Sequence, residues 1–149
     1  MRHIGGTASP EAVWHVLRSV AGQWAGDGFS MFCVLEKASG KMIGRVGPQH
    51  PFGWPAGEVG WGFLSSHWGY GFAMEAALVA MDYAFNVLGW DQVAHIIAPE
   101  NLESIRLAQR LGSTRLGPCC LPEPAIDRTV DLWGQTSANW HKFRIGQSA

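Results

Sequence analysis

The chain has 149 residues, 47% hydrophobic and 15% charged, with 11 Lys and Arg against 12 Asp and Glu. That length fits a single domain over residues 1–149 with a real core, and the apolar content excludes disorder. The near-neutral balance leaves little electrostatic footing for nucleic acid, and no apolar run approaches the roughly 20 residues of a bilayer span.

Ser9-Pro10-Glu11 combines an N-cap, a proline at the first helical position and a first-turn acid. With Val13, Trp14, Leu17, Val20, Ala21 and Trp24 at helical spacing, it predicts an amphipathic helix ending near Gly26-Asp27-Gly28. Phe29 to Lys37, the turn Ala38-Ser39-Gly40 and Lys41 to Val46 read as a β-hairpin. Gly47 to Gly57 contains Pro48, Pro51 and Pro55, which cannot serve a central ladder, so a loop is expected there. Glu58 to Leu64 alternates as a strand, with Gly60 and Gly62 marking a bulge or the close approach of another group. Gly69-Tyr70-Gly71 opens a helix carrying Met74, Ala77, Leu78, Met81, Phe85 and Leu88 on one stripe and stopping at Gly89. Val93 to Ala98 reads as a buried strand, and Asn101 caps a helix running to Gly112. Thr114 to Leu116 and Arg128 to Trp133 fit two closing strands around a proline-rich loop, Pro118 to Pro124, with a short helix at Ser137 to His141.

The start, Met1 to Gly6, has no basic-then-apolar leader, and Cys33, Cys119 and Cys120 form neither an even disulfide set nor a metal-binding pair. The expectation is a cytoplasmic protein with no metal, no nucleic-acid partner and no membrane partner.

Chemistry concentrates in the strand, glycine loop and helix of Glu58 to Leu88. A helix start exposes unpaired N–H groups and the positive end of the dipole, so a glycine entry suits phosphate oxygens. The Walker pattern fails for want of Gly-Lys-Ser/Thr, and the dinucleotide fingerprint fails at Met74. What stands is Trp68-Gly69-Tyr70-Gly71-Phe72-Ala73-Met74-Glu75-Ala76, followed by Glu100-Asn101 through Ser104-Ile105-Arg106 and then Arg110-Leu111-Gly112. In this order and separation the two motifs resemble the GNAT superfamily of acetyl-CoA-dependent N-acetyltransferases, in its ribosomal-protein-alanine acetyltransferase branch. The likeness runs from about Ile4 to Trp140.

The resemblance implies an α/β GNAT fold: a mixed, mostly antiparallel sheet splayed at its centre, with helices on both faces. Acetyl-CoA would enter between the strands matching Glu58–Leu64 and Val93–Ala98, which would explain Gly60 and Gly62. The loop Trp68, Gly69, Tyr70, Gly71, Phe72 and Ala73 would hold the pyrophosphate, and Asn101 would bond the pantetheine arm besides serving as an N-cap. Arg106 and Arg110 are either 3'-phosphate contacts or solvated helix residues.

The attacking amine must be neutral. At pH 7 that costs about 4.6 kcal/mol for an alkylamine of pKa ~10.4 but only about 1 kcal/mol for an α-amino group of pKa ~7.7. Glu58 stands where many members carry a general base, with His67 and His95 as alternatives. The tyrosine that many relatives use to protonate the leaving thiolate is replaced by Ala108, and Ser104, three residues after Asn101, is the candidate in its place, contacting the cofactor as well. The cysteines have no activating partner, and direct transfer needs no covalent intermediate. The expected acceptor is a primary amine, a protein N-terminus or a small molecule, beside the loop of His50, Phe52 and Trp54. The alternative is a non-catalytic acyl-CoA-binding module. Relatives carry a strand and a helix before the segment matching Met1; their absence here would leave an open sheet edge and favour a homodimer.

Overall fold

The computed structural model describes residues 9–122 and 129–147. Helix α1 (Pro10–Asp27) begins where the Ser9 hydroxyl accepts the amide of Ala12, and it stops at Gly28, whose φ of 76° suits a glycine. The chain continues through β1 (Phe32–Leu35), β2 (Met42–Gln49), β3 (Glu58–Phe63), α2 (Phe72–Asp82) and β4 (Gln92–Ile97). It closes with α3 (Leu102–Arg110), β5 (Thr114–Cys119), β6 (Val130–Thr136) and α4 (Ser137–Gln147). A 3-10 turn at Ser65–His67 precedes α2, and a π-helical turn at Tyr83–Val87 ends it.

The six strands form one sheet in the order β1-β2-β3-β4-β6-β5. Neighbours are antiparallel throughout, apart from the parallel pair β3 and β4 at the centre. One sheet face presents Val46, Val59 and Val93 to α2, α3 and α4. Ala77 and Ala80 of α2, with Ala84 in the π-helical turn, let this helix lie close to the strands, and Leu107 of α3, its C-cap Leu111 and the fully buried Trp140 of α4 close the core. On the opposite face Met31, just after α1, packs over Gly47 and Gly60.

Two proline positions differ from the sequence expectation. Strand β2 does not end at Val46 but runs on through Gly47-Pro48-Gln49, paired with Gly60, Val59 and Glu58. The bond from Leu64 N–H to the Ile43 carbonyl sets the alternation that turns the Pro48 nitrogen toward β1, and β1 has already ended at the Phe32–Val46 pair. No ladder bond is therefore lost. Likewise β5 continues through Pro118, opposite Asp131, because among the described residues β5 pairs on one side only. Of the rest of the expected proline-rich loop, Cys120 to Pro122 lie outside any strand, and residues 123 and 124, like the expected strand start at Arg128, lie outside the described residues. Helix α4 extends well beyond the short helix expected. No helix among the described residues is long and apolar enough to cross a membrane.

Candidate active site

Strands β3 and β4 part almost as soon as they meet. Their only register pair is Glu58 with Ala94, fixed by the Ala94 N–H to the Gly57 carbonyl at 2.8 Å, whereas β2–β3 and β4–β6 pair along their length. Past that point side chains replace the ladder. Glu58 Oε1 accepts the Ile96 N–H at 3.1 Å, and His95 Nδ1 donates to the Val59 carbonyl at 2.7 Å. Backbone groups farther along the two strands are left to a slot.

The slot has two lobes. The larger, about 410 Å³, lies between the N-termini of α2 and α3 and is lined by Trp68, Gly69, Gly71, Phe72, Ala73, Asn101, Ser104, Arg106 and Arg110, among others. The smaller, about 90 Å³, is lined by Glu58, Val59, Gly60, His95, Ile96 and Ala98, again with Asn101 and Ser104. Trp61 borders both. Side-chain alternation puts Val59 and Trp61 on the helix-covered face and Glu58 on the other, so the slot passes through the sheet.

The large lobe is built for an anion at its outer end. Gly69 and Gly71 have φ of 83° and 87°, left-handed values that let the chain turn tightly into α2. No side chain caps α2, so its first-turn amides and dipole remain available, with the two arginines of α3 on the facing wall. Across the lobe, Asn101 Oδ1 accepts the Ser104 N–H at 3.2 Å, and the Trp61 indole N–H reaches Ser104 Oγ at 3.2 Å.

Glu58 is 6% exposed, and burial raises its pKa to about 7 against three opposing influences: the Gln49 side chain, the Ile96 amide and the charge of Arg45. Gln49 Nε2 donates to Oε2 at 2.7 Å, so each carboxylate oxygen has one fixed donor and a lone pair to spare. His95 is 1% exposed and its pKa is lowered to about 4, chiefly by burial. Because a carbonyl can only accept, Nδ1 carries the proton, and Nε2 accepts from the Ser113 hydroxyl at 3.0 Å. Ser113 in turn accepts from Gln135. Both ring nitrogens are therefore engaged, and His95 is a strut between β3 and β4 rather than a free base.

Glu58 and Ser104 both line the small lobe, and Asn101 both caps α3 and faces the slot. The Tyr70 side chain, 75% exposed, lines neither lobe. His67 borders the large lobe, away from Glu58. The loop of His50, Phe52 and Trp54 contributes to neither lobe, although Gly53 lies against Pro122. Gly60 lines the small lobe, and a Cβ there would also press on the tip of the Met31 side chain and crowd Gln49. The Cys119 thiol is pushed up by burial and by the charges of Cys120 and Glu58, which disfavours a nucleophilic thiolate. Two site residues escaped the sequence reading. Gln49 was hidden inside the expected loop, and Trp61 reads as an ordinary strand aromatic.

Residues 1–114 match the model of the acetyltransferase (GNAT) domain. The chain belongs to the GNAT family. Among its curated relatives, Bacillus subtilis YkkB is 37% identical over 89 residues, 58% of this chain and 52% of that protein. The N-acetyltransferase YnaD of the same organism is 29% identical over 100 residues, 66% of this chain and 59% of that one. The chain thus spans a little over half the length of these relatives. The acetyltransferase structure from Agrobacterium tumefaciens str. C58 superposes with a TM-score of 0.78 at 25% identity, over 90% of this chain and 76% of that one. The mixed, centrally splayed sheet of this GNAT chain agrees with that likeness.

Proposed function

We propose that this chain moves an acetyl group from acetyl-CoA to a primary amine by direct attack. The observation that carries this reading is the slot itself: an anion-suited lobe on the helix-covered face joins, at Ser104 and Asn101, a small lobe that ends on a buried carboxylate. The loop Trp68 to Ala73 would hold the pyrophosphate, the Tyr70 contribution being its backbone alone, and Asn101 would bond the pantetheine arm.

The neutral amine nitrogen attacks the thioester carbonyl carbon; the C–N bond forms and the C–S bond breaks. Glu58 takes the amine's surplus proton, and the departing thiolate takes one from the Ser104 hydroxyl, which recovers it from solvent. The Trp61 N–H already occupies one lone pair of Ser104 Oγ, leaving the hydroxyl proton free to donate. A base near pKa 7 sits close to an α-amino group at ~7.7, so the transfer costs about 1 kcal/mol, against about 4.6 for an alkylammonium at ~10.4. The match supports an acceptor of low amine pKa, such as a protein N-terminus.

Thiol release from acetyl-CoA across a panel of amines tests the reading. Turnover that falls in Glu58→Gln and Ser104→Ala supports it. Tight acetyl-CoA binding with no turnover on any amine would make the chain an acyl-CoA-binding module instead.

A further inference from the structure

We infer that Trp61 sets the length of the acyl group this chain transfers, an inference that rests on the acetyl-transfer reading above. Trp61 lies on β3 beyond the last register pair with β4, so its ring occupies the opening rather than a closed ladder.

The ring is held from several directions. Its N–H bonds Ser104 Oγ, and the ring touches the His95 imidazole at a tilt of 48°, with ring centres 4.7 Å apart. His95 cannot yield, being fixed by the Val59 carbonyl at one nitrogen and Ser113 at the other. Ile97, Ala108 and Trp133 pack around the same ring. Rotating the indole away would forfeit the hydrogen bond and the ring contact with His95 together, so it acts as a fixed wall.

The two lobes have three lining residues in common: Trp61, Asn101 and Ser104. A thioester whose phosphates lie at the Gly69–Ala73 loop, and whose carbonyl must meet an amine beside Glu58, therefore reacts between the indole and the Asn101–Ser104 pair. Beyond that neck the small lobe offers about 90 Å³, less than a quarter of the roughly 410 Å³ of the large one. An acetyl methyl, its carbonyl and the amine nitrogen fill that space. Each further methylene either strikes the indole or takes the room of the amine.

The test is kcat/KM for acetyl-, propionyl- and butyryl-CoA with one amine, in the wild-type chain, Trp61→Leu and Trp61→Phe. The wild type should lose about tenfold or more with each added methylene, the lower end of what one methylene decides in a fitted pocket. Trp61→Leu should raise the butyryl-to-acetyl ratio by at least about tenfold. Trp61→Phe, with a smaller ring and no N–H, should shift the ratio in the same direction by less, which keeps the inference open to test if the leucine variant does not fold. Wild-type turnover of acetyl-CoA with ratios that neither decline with chain length nor move in the variants overturns the role of Trp61 alone. Wild-type silence on all three donors overturns the acetyl-transfer reading and this inference with it.

Discussion

The carboxylate of Glu58 accepts the backbone N–H of Ile96 across the opening between β3 and β4, at 3.1 Å. A side chain thus takes the place of the ladder bond that a closed parallel pair would make. The sheet is held at its fork while the slot beyond stays open, and the group doing so is also the candidate base.

Stability should vary little with pH between about 4.5 and 6.5, because two buried groups oppose each other there. Glu58, with a folded pKa raised from 4.5 to about 7, binds its proton more tightly in the native state, so its contribution to stability falls as pH rises through that range. His95, lowered from 6.5 to about 4, holds its proton less tightly, so its contribution falls as pH drops. Each shift corresponds to about 3 kcal/mol. Urea unfolding of Glu58→Gln should show stability climbing by up to that amount from pH 4.5 to 6.5, where the wild type is flat. A variant whose stability tracks the wild type across the range would contradict the burial cost assigned to Glu58.

Gln49 should tune the base. Its amide stabilises the ionised carboxylate, so Gln49→Leu should move the acid limb of the kcat/KM pH profile upward by about 1 unit, as loss of one hydrogen bond to a charged group implies. An unmoved limb with altered amplitude would reduce Gln49 to packing.

Gly71→Ala should cost about 1–2 kcal/mol through its left-handed φ alone, since a Cβ there meets nothing within 4 Å. The same change places a methyl at the mouth of α2, so KM for acetyl-CoA should rise beyond what the small stability loss explains. Chemical denaturation beside steady-state kinetics separates the two effects, and an unchanged KM would remove this loop from the phosphate site.

Arg110→Ala should weaken acetyl-CoA binding at low salt and flatten its salt dependence, because Arg110 faces the large lobe. Arg106 is already engaged with Glu103, so Arg106→Ala should do less. Calorimetry of CoA binding at two ionic strengths reads both, and equal salt slopes in all three proteins would remove the arginines from the phosphate wall.

The motifs with local causes were legible in the sequence. Ser9 and Gly28 bound α1, Asn101 caps α3, and Gly69 and Gly71 turn the chain into α2, since each depends on near neighbours. Features set by strand neighbours were not. Pro48 is tolerated because β1 has ended beside it, which no local pattern announces, and reading it as a loop breaker concealed the pairing of Gln49 with Glu58. That pair belongs to the β2–β3 register, which runs through Pro48 to Gln49 opposite Glu58. Trp61 looks like core by composition, and its place at the fork follows from β3 leaving β4. Gly60 carried a true signal of close approach, with the Met31 side chain packed over it and the small lobe beside it.

The most direct measurement is a crystal structure with acetyl-CoA bound. The account places the diphosphate on the amides of Gly69 to Ala73 and the thioester in the neck bounded by Trp61, Asn101 and Ser104, with β3 and β4 still parted beyond Glu58. A cofactor seated elsewhere, or strands that close into a continuous ladder around an empty neck, would contradict it.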